Sequence, residues 1–447
     1  MHSDDSLRGV SVLVAGAGLA GLVTASDLSQ RGAQVVIIEA RSRPGGRVWT
    51  VRDGFAARQH AEAGGDLIDE GQTEIRDLAG RFGLKLVRIL RSGFSALRGR
   101  RPGTIRDAGG GWDALQRRLE PEIRGYRLAE RRWDSAIASV LGREPVAGWL
   151  DRIGANDAMR STATAMRGFF LADPTELSLL ALVDQFAEDE TPGQGRMYRI
   201  EGGNDAIVSA LATSLADRLR LDSALVSIVH STSGIDAGLR AAGGRLDHLH
   251  ADYVVCALPA STLRDIRIDP PLPSEQREAI NRLKYGSATK TLLQFERAVW
   301  RRIGKQRAYG TDLPIGAVWD GNEEQPGPAG ILTLLAGGTA SAATRAALAR
   351  HGVDGLVREL EWLGTARTPL LAHRVVTWED DEWARGGYAY FDAGYDPALR
   401  HWLSRPCGRI LFAGEHTSMR WQGYMNGAVE SGLRAAAEVR ALQTGRL

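Results

Sequence analysis

The feature that most constrains this chain is Gly16-Ala17-Gly18-Leu19-Ala20-Gly21, set directly behind the β-branched run from Val10 to Val14. Leu19 to Gln30 reads as a helix stopped by Gly32, and a second apolar run, Val35-Val36-Ile37-Ile38, ends at Glu39. Continuous apolar strands flanking a helix are the pattern of a parallel βαβ unit buried on both faces. Each glycine then has its own task. Gly16 permits the tight turn, Gly18 lets the backbone approach a pyrophosphate, and Gly21 allows close helix packing. The helix N-terminus offers free N–H groups and a positive dipole end to phosphates, and Glu39 can accept hydrogen bonds from a ribose. The unit predicts a doubly wound α/β (Rossmann-like) domain that binds a dinucleotide.

The remaining sequence narrows the class. An apolar fraction of 43% and a charged fraction of 25% are ordinary for a globular protein. At 447 residues the chain is long enough for about three domain-sized units. Lys+Arg 56 against Asp+Glu 54 leaves a formal charge of +2, so bulk electrostatics favours neither nucleic acid nor an anionic membrane. Cys256 and Cys407 cannot build a disulfide framework, and Cys256, in Val254-Val255-Cys256-Ala257-Leu258, reads as a small core residue in a reducing compartment. Met1-His2-Ser3-Asp4-Asp5 carries no basic start of a signal peptide, and no run of 18 uncharged apolar residues occurs. A cytoplasmic location is expected.

Along the chain, residues 72 to about 195 read as mostly helical, ending in the loop 189–195. An amphipathic helix over 206–219, strands at 225–229, 251–259, 289–295, 331–336 and 409–413, and a last helix from about Tyr424 to Leu442 follow. Nucleotide-binding signals near both ends predict a discontinuous cofactor domain (1–80, 200–275 and 405–447) with the substrate region (81–199 and 276–404) between its parts.

A second glycine pair, Gly45-Gly46-Arg47, follows Glu39-Ala40-Arg41. A nicotinamide enzyme does not need it, whereas it supplies a second backbone approach and a cation beside the same phosphates. Together with Ala63-Gly64-Gly65, Phe412-Ala413-Gly414-Glu415 and Gly423-Tyr424-Met425-Asn426-Gly427-Ala428-Val429-Glu430-Ser431-Gly432, these blocks resemble the flavin monoamine oxidase family, which includes polyamine, nicotine and L-amino acid oxidases. The resemblance implies FAD, a doubly wound FAD domain and an α+β substrate domain with a mixed sheet and helices. Stretch 100–195 carries no motif that can be placed. The cofactor contacts then expected are Gly16, Ala17, Gly18, Leu19, Ala20, Gly21, Glu39, Ala40, Arg41, Gly45, Gly46, Arg47, Val48, Gly64, Gly65, Asp66, Leu67, Val226, Trp378, Gly414, Glu415, Gly423, Tyr424, Met425 and Ala428.

The C-terminal helix packs Met425, Ala428, Val429, Gly432 and Ala436 inward at helical spacing, leaving its N-terminus to face a ligand that gains negative charge. Lys290 is one of four lysines and lies in the strand-like Thr289–Phe295, on the face of Leu292. An inward lysine is costly without a polar partner. In the family, the lysine at this position binds a water beside flavin N5. The aromatic residues matching Tyr388 and Tyr424 flank the amine's path there, and Lys290, Tyr388 and Tyr424 form the expected catalytic set. Gly387 stands where mitochondrial monoamine oxidases carry a flavin-linking cysteine, so FAD is expected to be held non-covalently.

His248 and His250 share a strand face without a recognisable metal pattern, and no metal site is expected. The partners expected are a small amine and molecular oxygen, with neither nucleic acid nor membrane; assembly as a homodimer is left open. The expected reaction is amine oxidation to an imine with hydrogen peroxide. Three rivals stand beside it. An L-amino acid oxidase needs a cation for the substrate carboxylate, often at the position of Leu67; here Asp66 precedes it, leaving Arg76 or an arginine of the helical stretch. A flavin desaturase would not need Lys290 and the two tyrosines. A silent FAD-binding scaffold would not keep the whole set.

Overall fold

The computed structural model describes residues 6–98, 106–107, 111–187, 195–302 and 306–445. Residues 189–194 of the loop expected over 189–195, and the N-terminal five residues, lie outside them. Around the first βαβ unit forms a five-stranded parallel sheet. Its order is Leu219–Arg220, Gln34–Ile38, Ser11–Ala15, Tyr253–Cys256 and Ile410–Phe412. Alternation along these strands sends side chains to two cores. Leu13, Ala15, Ile38, Val254 and Cys256 enter one, and Val12, Val14, Ile37 and Val255 enter the other. That two-sided burial is why the strands read as continuous apolar runs. On one face, helix Leu19–Gln30 packs against helix Met425–Gln443. A Cβ on Gly432 would lie 2.5 Å from Ala20 O, and Thr24 Oγ1 donates to Gly432 O at 3.0 Å.

A mixed seven-stranded sheet forms the second large layer. It runs Leu370–Thr377, Ala288–Phe295, Gly330–Gly337, Ala317–Asp320, Ala308–Thr311, Phe94–Arg98 and Arg106–Asp107. Every residue of Ala288–Phe295 is buried, so Lys290 is enclosed whichever face it takes. A four-stranded sheet holds Leu246–Ala251, Ile235–Ala241, Ser223–His230 and Arg267–Asp269.

Several expected elements are corrected. The stretch from residue 72 is not uniformly helical: Leu86–Ile89 pairs with Met197–Ile200, and Phe94–Arg98 pairs with Ala308–Thr311. Helix Thr73–Arg81 opens the stretch, and the other described helices follow from Gly111–Leu128 to Leu179–Phe186. Helix 206–219 ends at Ser214, because Leu219 is drawn into the edge strand beside Ile37. Segment 251–259 is divided: Ala251 closes an antiparallel strand, and Tyr253–Cys256 alone joins the parallel sheet. His248 and His250 are exposed, with His250 Nδ1 3.1 Å from Asp236. No group of acids, histidines and cysteines among the described residues could hold a metal, and no described helix is long and apolar enough to cross a membrane.

Candidate active site

The C-terminal ends of the parallel strands gather the turns expected to hold the dinucleotide, the usual ligand crevice of such a sheet. Gly16 follows Ala15 with φ +102°, and a Cβ there would lie 2.7 Å from Ala257 O. Only glycine fits. A Cβ on Gly21 would lie 1.9 Å from Gly16 O, which keeps the helix tight against the turn. A Cβ on Gly18 would meet nothing within 4 Å, so that side of the loop is open. Gly45 N donates to Ala17 O at 2.8 Å, which seats the second glycine pair against the first. No side chain caps helix Leu19–Gln30 and no acid stands in its first turn, leaving its N–H groups for an anion.

Glu39 is 7% exposed and accepts from Ala17 N at 2.8 Å and Arg41 N at 3.0 Å. Burial raises its pKa above the usual carboxylate value, against the pull of those two N–H groups. Arg41 reaches Asp381 at 2.5 Å, so its charge is already matched. Arg47 donates to Gly387 O at 2.5 Å and Glu415 at 3.0 Å, and Glu415 also accepts from Gly423 N at 2.8 Å.

These turns line a cavity of about 170 Å³ that continues into a larger one of about 1210 Å³. Gly16, Gly18, Leu19, Ala20, Glu39, Ala40, Arg41, Gly45, Gly46, Val48, Gly414, Glu415 and Ala428 line the smaller. Gly64, Asp66, Leu67, Lys290 and Trp378 line the larger. Arg47, Gly65, Gly387, Tyr388, Gly423, Tyr424 and Met425 line both, so the two spaces meet there. Ala17 and Gly21 support the turn from behind. Val226 lines neither cavity; it sits where the register of Ser223–His230 shifts between Leu225 and Ser227.

At the junction, Tyr388 is half-buried and its hydroxyl donates to Phe169 O. Burial, then Tyr424 and Glu415, raise its pKa, so it stays a neutral phenol. Tyr424 donates to Gln185 Oε1 at 3.3 Å. With both hydroxyls bonded, the rings are what these residues present to a ligand. Trp378 Nε1 donates to Ala63 O at 3.0 Å. Lys290 is 3% exposed, and Nζ donates to Gly64 O at 2.8 Å and Asp66 Oδ2 at 3.2 Å. Burial lowers its pKa, and Asp66 and Glu62 oppose that fall.

Asp66 is not the bare anion its neighbour Leu67 suggested. Its Oδ1 accepts from Arg199 Nε at 2.6 Å and its Oδ2 from Trp319 Nε1 at 2.9 Å. Burial pushes its pKa up, but Arg199 and Lys290 outweigh burial and leave it below the usual range. Arg76 pairs with Glu70 at 3.2 Å and does not line the large cavity. Sequence reasoning missed Arg199, Trp319 and the turn Ala257-Leu258-Pro259, which lines the smaller cavity. A proline ending a parallel strand beside Gly16 was the available signal for that turn. His416, beside Glu415, is expected from the sequence to be structural near the cofactor. Its Nδ1 is buried without a hydrogen-bond partner among the described residues, it lines the smaller cavity, and burial lowers its pKa to about 3.

A dinucleotide cradle opening into an enclosed chamber with a buried lysine and two tyrosines at the junction defines a dinucleotide-dependent oxidoreductase. The open space at Gly18, the uncapped helix and the orphaned His416 Nδ1 all fit a bound FAD. The chain belongs to the flavin-containing amine oxidoreductases, whose family model matches residues 19–440. Its cofactor is FAD. AofH of Mycobacterium tuberculosis is 28% identical over 460 residues, with 97% of each chain covered. Human amine oxidase [flavin-containing] B is 26% identical over 465 residues, covering 96% of this chain and 85% of that one. Cyclohexylamine oxidase from Brevibacterium oxydans shares the fold with a TM-score of 0.85 at 24% identity, covering 97% of this chain and 99% of that one. A putrescine oxidase bound to putrescine aligns at TM-score 0.82 and 23% identity, with the same coverage.

Proposed function

We propose that this enzyme oxidises small amines at the junction of the two cavities, giving an imine and hydrogen peroxide. The observation that carries the reading is the convergence of Lys290, Tyr388 and Tyr424 on the space that continues from the dinucleotide cradle. FAD, when bound, accepts a hydride from the amine α-carbon at N5 and passes the electrons to oxygen. The chain's part is to place the amine and exclude bulk water. The ring faces of Tyr388 and Tyr424 suit an amine nitrogen, Lys290 holds a water by its ammonium, and the N-terminus of helix Met425–Gln443 favours negative charge on the reduced ring. The cofactor domain comprises 1–80, 200–275 and 405–447, a division supported by the five parallel strands, all of which fall within those segments.

One observation favours an amino acid as substrate. Arg400 lines the large cavity, 3% exposed, with Nε and Nη1 lacking hydrogen-bond partners among the described residues. Its charge is partly met: Asp184, which it shares with Arg131, lies 3.6 Å away, and the guanidinium lies 3.8 Å above the Trp133 ring. Leu67 offers nothing to a carboxylate. Neutral or cationic amines are therefore the expected substrates.

A peroxide-coupled screen of amines and L-amino acids on the purified enzyme tests this. Amines should be turned over with the higher kcat/KM, rising with pH as the substrate nitrogen loses its proton. A free L-amino acid as the best substrate would overturn the reading.

A further inference from the structure

A buried ammonium has three N–H groups to place. Two of those on Lys290 reach Gly64 O and Asp66 Oδ2, which leaves the third for the cavity that Lys290 lines. Asp66 is itself clamped. Arg199 Nε lies 2.6 Å from Oδ1, Trp319 Nε1 lies 2.9 Å from Oδ2, and Asn204 Nδ2 donates to its backbone carbonyl at 2.7 Å. Arg199 is 1% exposed and held by Glu324 at 3.0 Å and Asp320 O at 3.2 Å. The Trp319 ring centroid stands 5.3 Å from Nζ. Asp66 and Trp319 beside the ammonium are thus each fixed by a second buried contact.

We propose that Asp66 is a positioning residue for Lys290: its clamped carboxylate keeps the ammonium charged and sets the direction of the N–H that carries the water. The inference rests on the role given to Lys290 above. A buried lysine beside a second cation, Arg199, would otherwise shed its proton. Asp66 opposes both burial and that like charge. Glu62, the other carboxyl bearing on Lys290, is itself pushed up to about 8 by burial and by Asp66. Below that pH it is largely protonated, so Asp66 carries most of the negative charge beside Nζ. The charges of Lys290 and Arg199 then balance those of Asp66 and Glu324. The arrangement also explains why an acid follows Gly64-Gly65 in a site meant for amines. Its charge faces the lysine and not the substrate.

Stopped-flow measurement of flavin reduction and reoxidation across pH, on FAD-loaded full-length enzyme, tests this. Asp66→Asn should lower the inflection of the Lys290-dependent half-reaction by at least one pH unit. Arg199→Gln removes the like charge and should raise it. In the Lys290→Met background, adding Asp66→Asn should change either rate less than twofold, because Asp66 acts through the lysine. An unmoved inflection in loaded Asp66→Asn, or a further tenfold loss in the double variant, would overturn the positioning role. If Asp66→Asn does not retain FAD, Arg199→Gln decides, and an inflection that fails to rise overturns the proposal. Lys290→Met at wild-type rates in both half-reactions would instead overturn the reading beneath it.

Discussion

Glu62, 1% exposed and two residues before the Gly64-Gly65 turn, accepts from Asn204 N and Thr50 Oγ1, each at 2.8 Å. Burial first, and Asp66 second, push its carboxyl up to about 8. The folded chain therefore holds a proton that the unfolded chain gives up near 4.5. Between those values the native state binds more protons, so this group's contribution to stability is present below the lower value and lost as pH rises through the upper. Glu62→Gln removes the titration. Its Tm relative to wild type should climb from pH 5 to pH 8 by several degrees, since each displaced unit is worth about 1.4 kcal/mol. A Tm difference that stays constant with pH would count against a buried, protonated Glu62. Lys290→Met tests the chemistry directly, because it keeps length and removes charge. Asp66 retains Arg199 and Trp319 in that variant, so folding and FAD content should change little. Flavin reduction, reoxidation or both should slow by about 10²–10⁴-fold, roughly 3–5 kcal/mol of barrier. Wild-type rates in a fully loaded variant would remove Lys290 from the catalytic set.

At the scale of elements, the pairing of helices Leu19–Gln30 and Met425–Gln443 aims two uncapped N-termini at one crevice. Gly432 sets that approach. Gly432→Ala would press a methyl into Ala20 O, where the present gap from Cβ would be 2.5 Å. The resulting overpacking should cost about 1–3 kcal/mol and weaken FAD binding, measurable as a raised Kd for the apoprotein. Unchanged Tm and Kd would show that the helices can separate freely. The βαβ unit and this last helix were legible because their signals are local: strand, glycine turn, helix, strand-end acid. The strands Leu86–Ile89 and Phe94–Arg98 were not, because the partners that seat them, Met197–Ile200 and Ala308–Thr311, lie more than a hundred residues downstream. The same distance hid the meaning of Asp66. Its cationic partners Arg199 and Lys290 are 133 and 224 positions away, so the sequence showed an acid and not the cations that neutralise it.

Across the whole molecule, the FAD cavity draws its lining from the first glycine turn, the Glu39–Val48 segment, the turn after Cys256 and the last helix, so one ligand ties the first βαβ unit to the last helix. A ligand bound only by the folded chain stabilises it by mass action, about 2.7 kcal/mol at a hundredfold excess over Kd. Apoprotein should therefore melt below holoenzyme, and its Tm should rise with added FAD until the site fills. The attachment itself is set by Gly387. A Cβ there would lie 2.4 Å from Leu171 Cδ1 and 2.9 Å from Ala288 Cβ, so the backbone is packed where a linking cysteine would need room. Cys256 is buried in the central sheet, and burial raises its thiol pKa to about 12; burial also raises that of Cys407. Neither thiol lines the FAD cavity. The purified enzyme should be yellow, and acid or heat denaturation should release all of its flavin to the supernatant as intact FAD. Flavin absorbance that stays with the washed, denatured chain would show a covalent bond and overturn this account of Gly387.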